Sequence, residues 1–94
     1  MYIVFRSYSG QGATELFDLL EERKADVQEV ISGVPGFVSY AAVRSEDGGT
    51  AVTICQDKDG VDESNRRAAQ WVSDNLDTSI SSPAITEGEA FIQF

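Results

Sequence analysis

The 94 residues contain no histidine, one cysteine, one tryptophan and two prolines. Without histidine there is no Ser-His-Asp relay, no histidine-held zinc and no histidine-ligated haem. The single cysteine, Cys55, cannot close an internal disulfide, which points to a reducing, cytoplasmic setting. With no histidine to activate it, this thiol reads as a core side chain rather than a nucleophile. Apolar runs extend only a few residues, far short of the roughly 20 that a membrane span needs. Positive charge is scarce: seven basic side chains face sixteen acidic ones, a net charge of −9. Such a surface repels phosphate backbones and anionic lipid, so neither nucleic acid nor a membrane is an expected partner. What is present is apolar mass, 41% hydrophobic and 10% aromatic, too much for a disordered chain. One domain spanning residues 1–94 is expected. A folded body of 10.2 kDa exposes about 5,300 Å² and buries roughly 64% of its unfolded surface, a modest core that favours a partner subunit.

Along the chain, Tyr2 to Tyr8 is rich in β-branched and aromatic residues and ends at Ser9-Gly10-Gln11-Gly12, a strand and a turn. From Ala13 to Ser32 the period lengthens. Ala13, Leu16, Phe17, Leu20, Val27 and Ile31 form one stripe of a single long helix. Gly33 is expected to end that helix with positive φ, and Pro35 forbids its continuation. Two strand-like runs, Phe37–Arg44 and Thr50–Gln56, flank Ser45-Glu46-Asp47-Gly48-Gly49 and read as a β-hairpin. A second helix follows, capped by Asp59 or Asp62 and running to about Leu76 or Asp77, with Val61, Ala68, Val72 and Leu76 along one stripe. After a polar connector containing Pro83, Ile85–Phe94 forms a last strand, bulged near Glu87-Gly88-Glu89.

The order β-α-β-β-α-β predicts an α+β, ferredoxin-like sandwich: a four-stranded antiparallel sheet with its helices on one face. The strands are apolar on both sides. Val38, Tyr40 and Ala42 lie on one face of the second strand and Phe37, Ala41 and Val43 on the other. The third offers Val52 and Ile54 against Ala51 and Cys55. An antiparallel sheet with one wet face should be half polar. The expected cover for the second face is another copy of the sheet, giving a homodimer and a dimeric α+β barrel.

Val34-Pro35-Gly36-Phe37 before the second strand, the Asp-Gly-Gly hairpin, and Val52–Leu76 with its Glu63-Ser64-Asn65 and Trp71-Val72 carry a resemblance that spans nearly the whole chain. The sequence resembles the antibiotic biosynthesis monooxygenase-like domains of the dimeric α+β barrel superfamily, in particular their small uncharacterised members. The resemblance implies homodimers joined face to face and a small-molecule cavity between sheet and helices. Members of that group include cofactor-free monooxygenases, haem-degrading enzymes, small isomerases and proteins with no known activity. The lack of histidine argues against the haem-degrading branch, and the expected chemistry uses neither metal nor organic cofactor. The resemblance constrains fold more than reaction.

Asn65 falls inside the apolar stripe of the second helix, where a carboxamide either orients a ligand oxygen or bonds the nearby backbone. Trp71, at the edge of that stripe, can line a cavity and still donate its N–H, or serve as core. The resemblance places an asparagine and a tryptophan near the substrate, matched here in type by Asn65 and Trp71. Arg6 and Tyr8 share one strand face, as do Tyr40 and Arg44. Each pair suits a carboxylate or enolate, or a structural role at a sheet end. Lys24 snorkels from the first helix. Gly10-Gln11-Gly12 lacks the third glycine of a dinucleotide loop, and Asp57–Glu63 has its glycine misplaced for a calcium loop. Two functions stay open: binding, with oxidation or isomerisation, of a small aromatic or polyketide-like molecule; or a non-catalytic, ligand-sensing or structural dimer module.

Overall fold

The computed structural model describes residues 1–94. Its order is β1 (Tyr2–Ser9), α1 (Ala13–Glu22), α2 (Lys24–Ser32), β2 (Phe37–Ser45), β3 (Gly48–Cys55), α3 (Lys58–Asn75) and β4 (Ala84–Glu89). The strands form one antiparallel sheet in the order β2-β3-β1-β4, the ferredoxin-like arrangement expected. No helix is long and apolar enough to cross a membrane.

Period-two alternation sets the two faces. Val4, Arg6 and Tyr8 of β1 are buried beneath the helices, as are Ala51, Thr53 and Cys55 of β3. The register places Arg6 opposite Ala51 and Tyr40 opposite Thr53, so Tyr40 shares that inner face. Ile3, Phe5, Ala41, Val43, Val52 and Ile54 take the outer face, where Phe5 is 42% and Val43 57% exposed. The inner core has two parts. One gathers Tyr8, Leu16, Phe17, Val27, Ile31 and Trp71; the other gathers Val4, Val34, Cys55 and Val61.

Five local expectations need correction. The single helix over Ala13–Ser32 is two, broken at Arg23 (φ −107°, ψ 30°). The break lets α1 lie over β3 while α2 lies over β2, following the sheet more closely than a straight rod would. A bulge between Phe37 and Ser39 breaks the alternation of β2. It puts Phe37 opposite Cys55, on the inner side with Tyr40, and leaves Val38 40% exposed. The last strand is also shorter and pairs with β1 in unbroken register, without the bulge expected near Glu87-Gly88-Glu89. Ala90 makes the final backbone bond, to Met1 O, and Phe91, Ile92 and Phe94 stand exposed. At the start of α3 the N-cap is Asp57, without a side-chain capping bond, rather than Asp59 or Asp62.

The fifth correction is a glycine. Gly33 has ordinary helical geometry (φ −81°), and the left-handed residue is Gly36 (φ 67°), three positions later. A Cβ at Gly36 would also stand 3.0 Å from Gln56 Cβ, whose backbone N–H donates to Gly36 O at 2.8 Å. At Gly33 the nearest atom is the movable tip of Arg67. Gly36→Ala should therefore cost about 1–2 kcal/mol, and Gly33→Ala should stay within about 0.5 kcal/mol. Urea midpoints for the two variants check the assignment.

Candidate functional site

Arg6 sits between the two apolar clusters and is 3% exposed. Its partners come from two other elements. Nη2 donates to Thr53 Oγ1 on β3 at 2.8 Å. Nη1 donates to Asn65 Oδ1 on α3 at 2.8 Å and to Ser64 Oγ at 3.4 Å. Ser64 passes its own proton to Val61 O at 2.7 Å, so its oxygen is free to accept. All three partners of the guanidinium are neutral. Burial draws the Arg6 pKa below its usual value, while Tyr8, Tyr40 and Cys55 act in the opposite direction. An arginine still keeps its charge at neutral pH.

The sequence-derived candidates take distinct places around this cation. Asn65 faces the sheet and lines neither the small inner chamber nor the larger outer cavity. It accepts from Arg6, and its Nδ2 donates to Glu87 Oε2 at 3.3 Å, so it positions the guanidinium through side-chain bonds alone. Trp71 Nε1 donates to Asp26 Oδ2 at 2.8 Å, joining α3 to α2. Its ring lines a small inner chamber of about 30 Å³ together with Arg6, Tyr8, Tyr40 and apolar residues of the three helices. Tyr8 meets Phe17 edge to face, with ring centroids 6.0 Å apart. Burial pushes the hydroxyl pKa of both Tyr8 and Tyr40 up, with Arg6 pulling back, so both phenols stay protonated at neutral pH. Arg44 lies outside, at the rim, held by Asp18 at 3.0 Å and Glu21 at 2.6 Å.

A larger cavity of about 520 Å³ opens between α1, α2 and β2. Phe17, Leu20, Val27, Ile31 and Phe37 make its walls, and Lys24, Glu21 and Arg44 stand among its polar lining. The break at Arg23 and the bulge at Phe37 build it, the one by setting α2 over β2 and the other by turning Phe37 inward. Neither shows as a period in the sequence. Leu20, Val27, Ile31 and Tyr40 line both cavities.

This geometry sits on a known scaffold. The chain superposes on the crystal structure of a monooxygenase from the gene ActVA-Orf6 of Streptomyces coelicolor in complex with the ligand Nanaomycin D. The match has a TM-score of 0.68 and 20% identity, and it covers 99% of this chain and 89% of that one. The two proteins share one fold. No family model and no curated protein matches the sequence. The ferredoxin-like α+β fold is thus shared with that protein at little shared sequence.

Asn65 is the structural support of Arg6. Asn65→Ala removes an acceptor from a buried cation and should cost about 1–3 kcal/mol. Asn65→Ser, whose shorter hydroxyl leaves room for a bridging water, should recover part of that loss. Thermal denaturation of the two variants measures it.

Proposed function

We propose that the protein binds a small aromatic molecule in the cavity between α1, α2 and β2, as a subunit of a face-to-face homodimer. The observation that carries this reading is the cavity itself. It is about 520 Å³, with walls that mix apolar side chains with polar ones and Tyr40 among its lining, within the volume range of small-molecule sites. The same fold holds Nanaomycin D in the Streptomyces coelicolor monooxygenase, which supports a related use here. Oxygenation without a cofactor is the reaction that this likeness favours. In it, a substrate carbanion or enolate supplies the electrons to oxygen and the protein shields the anion from water. A binding module without turnover is the second reading. It is favoured by the absence of any ionised base in the inner chamber, where the titratable side chains are Arg6 and two protonated tyrosines. The free thiol of Cys55 supports a cytoplasmic setting for either.

Trp71 is the chain's only tryptophan and borders the inner chamber, so its emission reports occupancy. Naphthalene-type compounds should change that emission saturably, and Ala42→Trp, which fills the outer cavity, should abolish saturable binding measured by calorimetry. Binding unaltered by that substitution places the ligand elsewhere.

The assembly rests on the outer sheet face. A single chain exposes 5731 Å², more than the roughly 5,300 Å² expected of a compact body of its mass. Ile3, Phe5, Val43, Val52 and Ile54 form an apolar surface across three strands. Light scattering should return twice the 10.2 kDa of one chain, and Phe5→Lys with Val43→Lys should return the monomer. A wild-type monomer at micromolar concentration contradicts this.

A further inference from the structure

Pairing of β4 with β1 ends where the Ala90 N–H donates to Met1 O at 2.8 Å. Three of the next four residues are then large and apolar: Phe91, Ile92 and Phe94. None of the three joins either core cluster, and Phe91 is 91% and Ile92 64% exposed. The two phenylalanines alone present roughly 300–400 Å², close to half of the 800 Å² or so that each partner brings to a stable interface. Apolar surface on that scale marks a place where something joins. The outer face of β4 shows the opposite character. Its register sets Ala84, Thr86 and Gly88 opposite Ser7, Phe5 and Ile3, so three small residues are all that β4 presents there. A Cβ at Gly88 would meet nothing within 4 Å. The face is also free of charge. Arg6, Arg44, Glu87 and Glu89, the acidic and basic residues of the four strands, all take the inner side.

We propose that Phe91–Phe94 is an exchanged arm, which lies along the small-residue strip of β4 on a second copy of the chain. The inference rests on the proposed face-to-face homodimer and names the contact that closes its margin. Size and length match. Three large side chains meet a strip without bulk, and about 10 Å of extended arm fits the roughly 13 Å between Ala84 and Gly88. Charge selects the partner. Two bodies of net charge −9 repel except where neither brings a charge, and neither arm nor strip carries a charged side chain. A cationic partner would find no side-chain carboxylate on either. The arm does not serve its own chain, because its phenylalanines stand in solvent. A tight reversal onto its own β4 would fall to Phe91, Ile92 and Gln93, without the glycine, asparagine or proline that such turns favour.

Sedimentation equilibrium over a dilution series tests the arm through the Kd of the dimer. Deleting Phe91–Phe94 should raise that Kd about tenfold or more, as loss of buried aromatic contacts does. Gly88→Phe fills the strip at an open position of ordinary backbone geometry, so the chain still folds, and it should raise the Kd by a similar factor. Gly88→Ala should stay within about twofold of the wild type. Exchange is read separately. In the double variant Thr86→Cys with Gln93→Cys, a short bismaleimide should join the two positions between chains, giving twice the monomer mass on a denaturing gel. Joining within one chain, or none, overturns the exchange. A dimer whose Kd is unchanged by the deletion and by Gly88→Phe overturns the arm and leaves the sheet interface standing. A dimer that survives Phe5→Lys with Val43→Lys but dissociates on the deletion upholds the arm and removes the sheet interface. A wild type that is monomeric at every concentration overturns both.

Discussion

A guanidinium buried at the centre of a small domain must be satisfied on nearly every side, and that requirement organises this fold. Stripping water from a charge costs several kcal/mol unless hydrogen bonds replace it. Arg6 on β1 therefore needs Thr53 from β3 and Ser64 and Asn65 from α3 at fixed positions. The register of β1 against β3 and the rotation of α3 above them are locked together by one side chain. A slip of a single residue would turn Arg6 to the outer face and leave those acceptors empty. The cation also divides the core, with Tyr8 and Trp71 in one cluster and Val4 and Val61 in the other.

The sheet's two faces answer different demands. The inner face pays for one polar centre by surrounding it with apolar side chains from three helices. On the outer face, Phe5, Val43, Val52 and Ile54 have no helix over them. Apolar patches of this kind are characteristic of surfaces that join to something. Because the helices use only one side of the sheet, a cavity under α1 and α2 and an association surface opposite them can coexist. The strands between would separate ligand from interface by the thickness of one sheet.

Element order and face assignment were legible because they depend on period. Alternation in β1 placed Arg6 and Tyr8 together, and the stripe Val61, Ala68, Val72 turned Asn65 towards the sheet, where it meets Arg6. The breaks in period were not legible. Arg23 interrupts a helix without glycine or proline to announce it, and the bulge between Phe37 and Ser39 moves one side chain across the sheet with no glycine or proline inside it. Gly33 and Gly36 bracket Pro35, and only the backbone distinguishes the helical glycine from the left-handed one. The cavity owes its shape to the first two of these irregularities, so its outline was hidden even though its lining types were visible. The separation of Arg44 from Arg6 was hidden for a similar reason. Both point to the inner side, yet Arg44 stands at the end of an edge strand, where Asp18 and Glu21 reach it.

The chemistry available to this site follows from which side chains are acids and which are bases. Around the inner chamber the polar groups are a guanidinium and two phenols whose pKa burial has raised, so none is an ionised base at neutral pH. The nearby thiol of Cys55 is raised too, by burial and by Asp57, and stays protonated. Glu21 is a carboxylate lining the outer cavity, and it is engaged by Arg44 at 2.6 Å. A reaction that begins by losing a proton must therefore draw on the ligand's own acidity. Donors fixed in place can supply that acidity, because each 1.4 kcal/mol or so by which they favour the anion over its conjugate acid lowers the ligand's pKa by about one unit. Binding and activation then become one act. An arrangement that selected an anionic oxygen would also make an enol or phenol more willing to become one, and only a ligand that is electron-rich once ionised would go on to reduce oxygen. In such a site the ligand, rather than an added catalytic residue, decides whether binding leads to turnover.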